Sequence, residues 1–352
     1  MLHCNSCVFP DTLNISSLSQ GIFTLSLLVE MPMDRNRLLC RRSAGARRKT
    51  AMAFTSRLIP SLAVLSLSFA TLGCATPRAS AETAQAAPNG PALWCAADED
   101  TTIYLFGTVH ALPAGVDWFK GPVKQAFDRS DELVTEIALD DTTGMQKLVL
   151  DKGMLPEGQN LRDLMSEENR IQYEESLVSL GVPVEAFDRF KPWYAAMTLQ
   201  LLPILQSGYV QDSGVENVLN GESPAKTHAA LETAEEQIDL FDSLSMDQQL
   251  TYLDQTVESA NEIVPTIDEM VREWLAGDAD HLADLLNSEM TDPALYKRLL
   301  TNRNAHWADW IDKRLGQPGV VFIAVGAGHL AGKGSVQDQL RKHGIKTKRI
   351  NE

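Results

Sequence analysis

An apolar strand that breaks at a glycine and presents a histidine three residues later occurs twice in this 352-residue chain. The first copy is "IYLFGTVHALPAG", Ile103 to Gly115; the second is "VVFIAVGAGHLAGKG", Val320 to Gly334. After Gly107–His110 come a glycine loop, a helix from about Val123 and the strand "LVTEI". After Gly326–His329 come a glycine loop, a helix from about Val336 and the short strand "KTKRI". The two ends thus read as a weak internal duplication, and neither has enough strands to form a core alone. The expected fold is α/β (α+β): one central mixed sheet built from both chain ends as two strand–GxxH–helix–strand half-units, with a long helical insertion at about 140–315. A pseudo-twofold axis through such a sheet brings both strand ends, and with them His110 and His329, to the same edge. Gly107 and Gly326 allow tight turns there, and Gly328 lets the backbone approach a ligand. In open α/β sheets, ligands gather at the carboxyl ends of the strands.

Between the half-units the pattern is mostly helical. "PAKTHAALET" is a brief strand ending at Glu232. Thr233 with Glu236, and Ser245 with Gln248, have capping-box spacing. Leu250, Leu253 and Val257 form one apolar stripe of the helix that follows.

Upstream, the chain reads as an export signal. From Met52, one arginine precedes an apolar run from Leu58 to Leu72, too short for a spanning helix and suited to a signal-peptide core. Two exits compete: a lipoprotein-type box closing at Cys74, which is preferred, or cleavage after "ASA" at Ala79–Ala81. The basic stretch before Met52 is either a long leading region or a start codon set too early, and the second is preferred. The expected organisation is an export segment at 1–81, a polar linker at 82–92 and one domain at 93–352. The protein is then exported, to the periplasm as a lipoprotein or free, or secreted. Its only expected membrane tie is a lipid on Cys74, since no later run is long enough to cross a bilayer. Cys4, Cys7 and Cys40 fall in the discarded segment, so no disulfide framework follows. The formal net charge is −16 although residues 1–81 are basic, so the domain is more acidic still. Such a surface repels phosphate backbones and excludes nucleic acid as a partner.

A lone histidine after a strand is ordinarily a hydrogen-bonded loop residue; two in matched contexts point to a shared site. Glu136, between "LVT" and "IAL", is costly to bury unless paired or bound to a cation, or else faces outward on a half-exposed strand. Glu232 sits either at a strand end or in a first helical turn. Two histidines and one or two carboxylates make a ligand set for Zn, Mn, Fe or Co, with a position open for water. A cation there lowers the pKa of bound water to ~7, a remaining carboxylate acts as base, and an arginine stabilises an oxyanion. Arg303 and Asn304 in "LLTNRNAHWADWI" are the candidates for the last role, although the favoured reading of Arg303 from the sequence is a surface helix charge. Trp307 and Trp310 look like core residues. His228, His281, His306 and His343 have no supporting pattern and read as structural.

"LFGTVH", "LVTEIAL", "GVENVL", "ALETAEEQ", "RN" at Arg303–Asn304 and "VGAGHLAGKGSV" occur in that order. Together they resemble the TraB/GumN family, relatives of the Tiki metalloproteases, from about Leu93 to the C-terminus. The resemblance implies a metal-dependent, hydrolase-like domain, Mn- or Co-dependent in the Tiki proteins, with His110, His329 and Glu136 as ligands; with the reading of the residues this gives Mn, Co or Zn as the metal and Glu232 as base or fourth ligand. It implies a peptide or protein substrate. More distant relatives include erythromycin-esterase-like hydrolases and a haem-binding group, so the fold leaves the chemistry open. The chain departs from the pattern in lacking a C-terminal membrane segment and in having Glu216 where an aspartate is expected. An exported metallopeptidase is the first reading. A non-enzymatic module sequestering a peptide or haem is the second, and an accessory factor in envelope polysaccharide export the third.

Overall fold

The computed structural model describes residues 90–138, 142–289 and 293–350. The segment expected to direct export, with Cys74, and the expected linker as far as residue 89 lie outside the described residues. The strands are β1 (Leu93–Ala97), β2 (Thr101–Thr108), β3 (Leu112–Pro113), β4 (Glu132–Thr135), β5 (Tyr209–Val210), β6 (Thr227–Ala230), β7 (Gly319–Gly326) and β8 (Lys348–Arg349). The helices begin with α1 (Gly121–Arg129), α2 (Thr142–Gly153), α3 (Glu167–Ser179), α4 (Pro192–Gln206), α5 (Val215–Gly221) and α6 (Ala234–Asp242). They continue with α7 (Met246–Glu258), α8 (Ile263–Ala276), α9 (Ala279–Glu289), α10 (Pro293–Tyr296), α11 (Asn302–Leu315) and α12 (Val336–Lys342). A π-helical turn, Lys297–Thr301, leads directly into α11.

One six-stranded mixed sheet, in the order β6-β4-β7-β2-β1-β8, draws on both ends of the chain. β6, β4, β7 and β2 are mutually parallel; β1 is antiparallel to β2 and to β8. A separate two-stranded sheet pairs β3 with β5, and the sequence pattern did not indicate it. The inner parallel strands β4, β7 and β2 are largely apolar on both faces because both are covered, whereas the edge strand β6 is partly exposed. On one face Phe106, Leu133 and Phe322 pack with Val123 and Phe127 of α1. On the other, Ile103, Leu105, Val134, Val321 and Ile323 pack with Trp307 of α11 and Leu340 of α12. The helices after β2 and β7 therefore lie on opposite faces, as a twofold relation requires.

The duplication is incomplete. β4 lies against β7, but β8 lies beyond β1, which takes the place beside β2 that strict symmetry assigns to β8. The middle of the chain is also more than a helical insertion, since β6 forms an edge of the main sheet. Both expected capping boxes are present: Thr233 with Glu236 opens α6 and Ser245 with Gln248 opens α7. Leu253 is buried, with Leu250 and Val257 packed beside the same core. No helix of the described residues is long and apolar enough to cross a membrane.

Candidate functional site

Four neighbouring parallel strands end at one edge, and each delivers a polar residue there. β2 and β7 run in register through Thr108 opposite Gly326, so His110 and His329 follow adjacent strand ends. Glu136 follows β4. The β6 backbone stays paired beyond its last residue, Leu231 N–H donating to Thr135 O (3.0 Å) and Glu232 N–H to Glu136 O (2.8 Å). Neither Gly107 nor Gly326 has positive φ, so neither makes a left-handed turn. A Cβ on Gly107 would stand 3.0 Å from Ala327 Cα, in the short 3-10 turn that carries His329.

Arg303 is buried at the centre of this edge, not on the surface as its helical position suggested. Nε donates to Glu232 Oε1 at 2.8 Å, and Nη2 to Glu136 Oε2 at 2.6 Å and Glu232 Oε2 at 2.9 Å. Nη1 donates to Leu299 O of the π turn at 3.2 Å and to His329 Nε2 at 2.9 Å. All five guanidinium N–H groups are thereby engaged. An oxyanion role for Arg303 requires one of these bonds to open. Glu232 also accepts from Trp307 Nε1 at 2.9 Å, so acting as a base requires the same release.

The Asn304 amide fixes the His329 tautomer. Its Nδ2 donates to Gly334 O at 2.9 Å, which leaves Oδ1 facing His329 Nδ1 at 2.5 Å. Nδ1 therefore carries the proton and Nε2 the lone pair, the state in which imidazole binds a cation. Asn304 orients a histidine here and does not present its amide to a substrate.

Glu136 accepts from Gly326 N–H at 2.7 Å and Gln237 Nε2 at 2.8 Å in addition to Arg303. Burial alone would raise its pKa. Arg303, His329 and His110, in that order, together with the Gly326 N–H, overcome burial and hold it at about 2, against an ordinary 4.5. Its Oε1 lies 3.9 Å from His329 Nε2.

On the β2 side, His110 Nδ1 meets Glu216 Oε1 at 2.6 Å. Glu216 was no more than a variant position in "GVE"; the contact forms because the start of α5 is clamped to the His110 loop. Val215 N–H donates to Val109 O at 3.0 Å, and a Cβ on Gly214 would fall 2.0 Å from His110 O. Thr108 Oγ1 and Glu216 Oε2 are buried with no hydrogen-bond partner among the described residues. Such oxygens are costly in an apolar interior, and a cation or its water satisfies them. In donor type the edge matches a divalent-metal ligand set, but among the described residues only Glu273, Asp278 and His281 bring three such atoms within 4.8 Å of one another, and here Arg303 holds both His329 Nε2 and Glu136.

Another group of ligand-type atoms lies elsewhere. Glu273, Asp278 and His281 have atoms within 4.8 Å of one another and could chelate a metal. The cluster is mostly exposed, Asp278 Oδ1 accepts the His281 N–H as a helix cap (2.9 Å), and Arg272 pairs with Glu273. His228 bonds Ser223, and His343 lies 3.3 Å from both Asp309 and Asp312.

Residues 92–349 match the model of the TraB/PrgY/gumN family. Among curated proteins, the chain is similar to an uncharacterized protein of Treponema pallidum, 22% identical over 257 residues, 68% of this chain and 77% of the relative. It is 29% identical to the uncharacterized protein YbaP of Escherichia coli over 194 residues, 53% of this chain and 70% of YbaP. It is 25% identical to metalloprotease TIKI1 of Danio rerio over 299 residues, 70% of this chain and 60% of TIKI1. No solved structure matches the chain significantly. The chain belongs to the TraB/PrgY/gumN family.

Proposed function

We propose that this member of the TraB/PrgY/gumN family is an exported metal-dependent hydrolase acting on peptide bonds. One observation carries the reading: two histidines from distant GxxH loops follow adjacent, in-register parallel strands, with buried Glu136 at the same edge. His110, His329 and Glu136 would hold the ion, Mn, Co or Zn. Bound there, it supplies Lewis acidity and lowers the pKa of water at the site to about 7. Asn304 keeps the His329 lone pair on Nε2. Arg303 holds both carboxylates and offsets one of their two negative charges, so the edge stays net negative before the ion arrives. Release of one Glu232 oxygen by Arg303 frees that carboxylate to take a proton and the guanidinium to meet an oxyanion. The distant similarity to a metalloprotease supports peptide as the substrate class.

A second reading is favoured by the Arg303 contact with His329 Nε2: the arginine is the resident cation and the edge binds a ligand without catalysis. Incubation of the purified protein with a peptide library, with Mn, Co or Zn or with chelator, separates the two. Cleavage that needs metal and is lost in His329→Ala supports the hydrolase. Absence of cleavage by the metal-loaded protein, or equal cleavage by the variant, overturns it.

A further inference from the structure

Arg303 holds the same atoms that the metal reading assigns to an ion. Its Nη1 lies 2.9 Å from His329 Nε2, and its Nη2 lies 2.6 Å from Glu136 Oε2. All three residues are buried, with exposures of 6% or less. A guanidinium and a divalent cation cannot both stand against one imidazole nitrogen and one carboxylate oxygen, because like charges in contact at a buried site repel strongly.

The surrounding contacts let the arginine leave those two atoms without stranding them. Glu136 keeps Gly326 N–H at 2.7 Å and Gln237 Nε2 at 2.8 Å. His329 keeps Asn304 on its other ring nitrogen. Arg303 has anchors of its own: Nε donates to Glu232 Oε1 at 2.8 Å, and Cζ lies 4.8 Å from the centre of the Trp307 ring. Trp307 Nε1 donates to that same Glu232 oxygen at 2.9 Å. Neither anchor depends on His329 or Glu136.

We infer that Arg303 is a tethered cation that competes with the divalent ion for His329 and Glu136, and so sets the affinity of the edge for metal. The inference rests on the metal reading of this edge. On loading, the Arg303 Nη groups leave both ligands while Nε stays on Glu232. Metal arrival and the release of N–H donors for an oxyanion are then one event. An arginine that keeps the edge closed in roughly 90–99% of molecules lowers the apparent metal affinity by roughly 10–100-fold.

The test uses the full-length protein with Zn alone as the probe, and the variants Arg303→Met, His329→Ala and the two combined. Zn affinity is read by competition with a chromophoric chelator, and circular dichroism confirms that each variant is folded. Arg303→Met should bind Zn roughly 10–100-fold more tightly than the wild type, and adding His329→Ala should remove the gain. An arginine that only holds the edge together predicts the opposite, a weaker site in a loosened edge. Nitrogen-15 NMR of the wild-type arginine side chains during the Zn titration is the second readout. Separate, hindered Nη signals of Arg303 should average as Zn binds, and this decides the matter if Arg303→Met does not fold. Equal or weaker Zn binding by the folded Arg303→Met variant overturns the inference, as do Arg303 signals unchanged by bound Zn. Equal affinities that are lost in His329→Ala overturn the inference and leave the metal reading standing. Absence of His329-dependent Zn binding in every form removes both.

Discussion

Arg303 Nη2 and Glu136 Oε2 meet at 2.6 Å, with both side chains buried. The same guanidinium grips Glu232, so two carboxylates depend on one cation. Removing one partner of such a network leaves uncompensated buried charge, which costs about 3–5 kcal/mol. Arg303→Met should lower unfolding stability in urea by that order. Arg303→Lys, which keeps the charge but cannot reproduce the forked contacts, should fall between the two. A Met variant as stable as the wild type would show that the network does not hold the sheet edge together.

Acid should weaken the metal-free protein through Glu136. Its folded-state pKa, about 2, lies below the ordinary 4.5. The ionised group therefore stabilises the fold fully above pH 4.5, and this contribution is lost as pH falls towards 2. The linkage is on the order of 3 kcal/mol. Urea midpoints measured from pH 7 to pH 3 should fall more steeply for the wild type than for Glu136→Gln. Parallel profiles would contradict the assignment.

Two glycines at the edge should differ in tolerance. A Cβ at Gly107 comes 3.0 Å from Ala327, the scale of ordinary overpacking, about 1–3 kcal/mol. A Cβ at Gly214 comes 2.0 Å from a backbone oxygen of His110, and the two segments must part to admit it. Thermal melts should show a larger loss of Tm for Gly214→Ala than for Gly107→Ala. The reverse order would place the close approach elsewhere.

The Glu273–Asp278–His281 cluster should contribute nothing to metal retention at the strand edge. A Glu273→Gln/His281→Ala variant, loaded with Zn and dialysed, is expected to keep the same metal as the wild type. Loss of that metal would move the ion-binding function to the α8–α9 junction.

The sequence made the site's strand-borne parts legible because they are local. Apolar runs ending in GxxH marked β2 and β7, and an acid inside "LVTEIAL" marked Glu136. The capping boxes at Thr233 and Ser245 were visible for the same reason, since each is closed within four residues. What stayed hidden depends on distant partners. Arg303 looks like any helical surface charge until the π turn before α11 and the ends of β4 and β6 surround it. Glu216 gains meaning only when Gly214 and Val215 dock on the His110 loop. The insertion of β1 between β2 and β8 is a choice of sheet order, which no periodicity records.

The most direct test of the central claim is the metal content of the purified protein, measured by mass spectrometry beside a His110→Ala/His329→Ala double variant. Both are loaded with Mn, Co or Zn and then dialysed. A shared site predicts stoichiometric metal in the wild type and its loss in the variant. Equal metal in both, or none in either, would contradict a metal centre built from the two GxxH histidines.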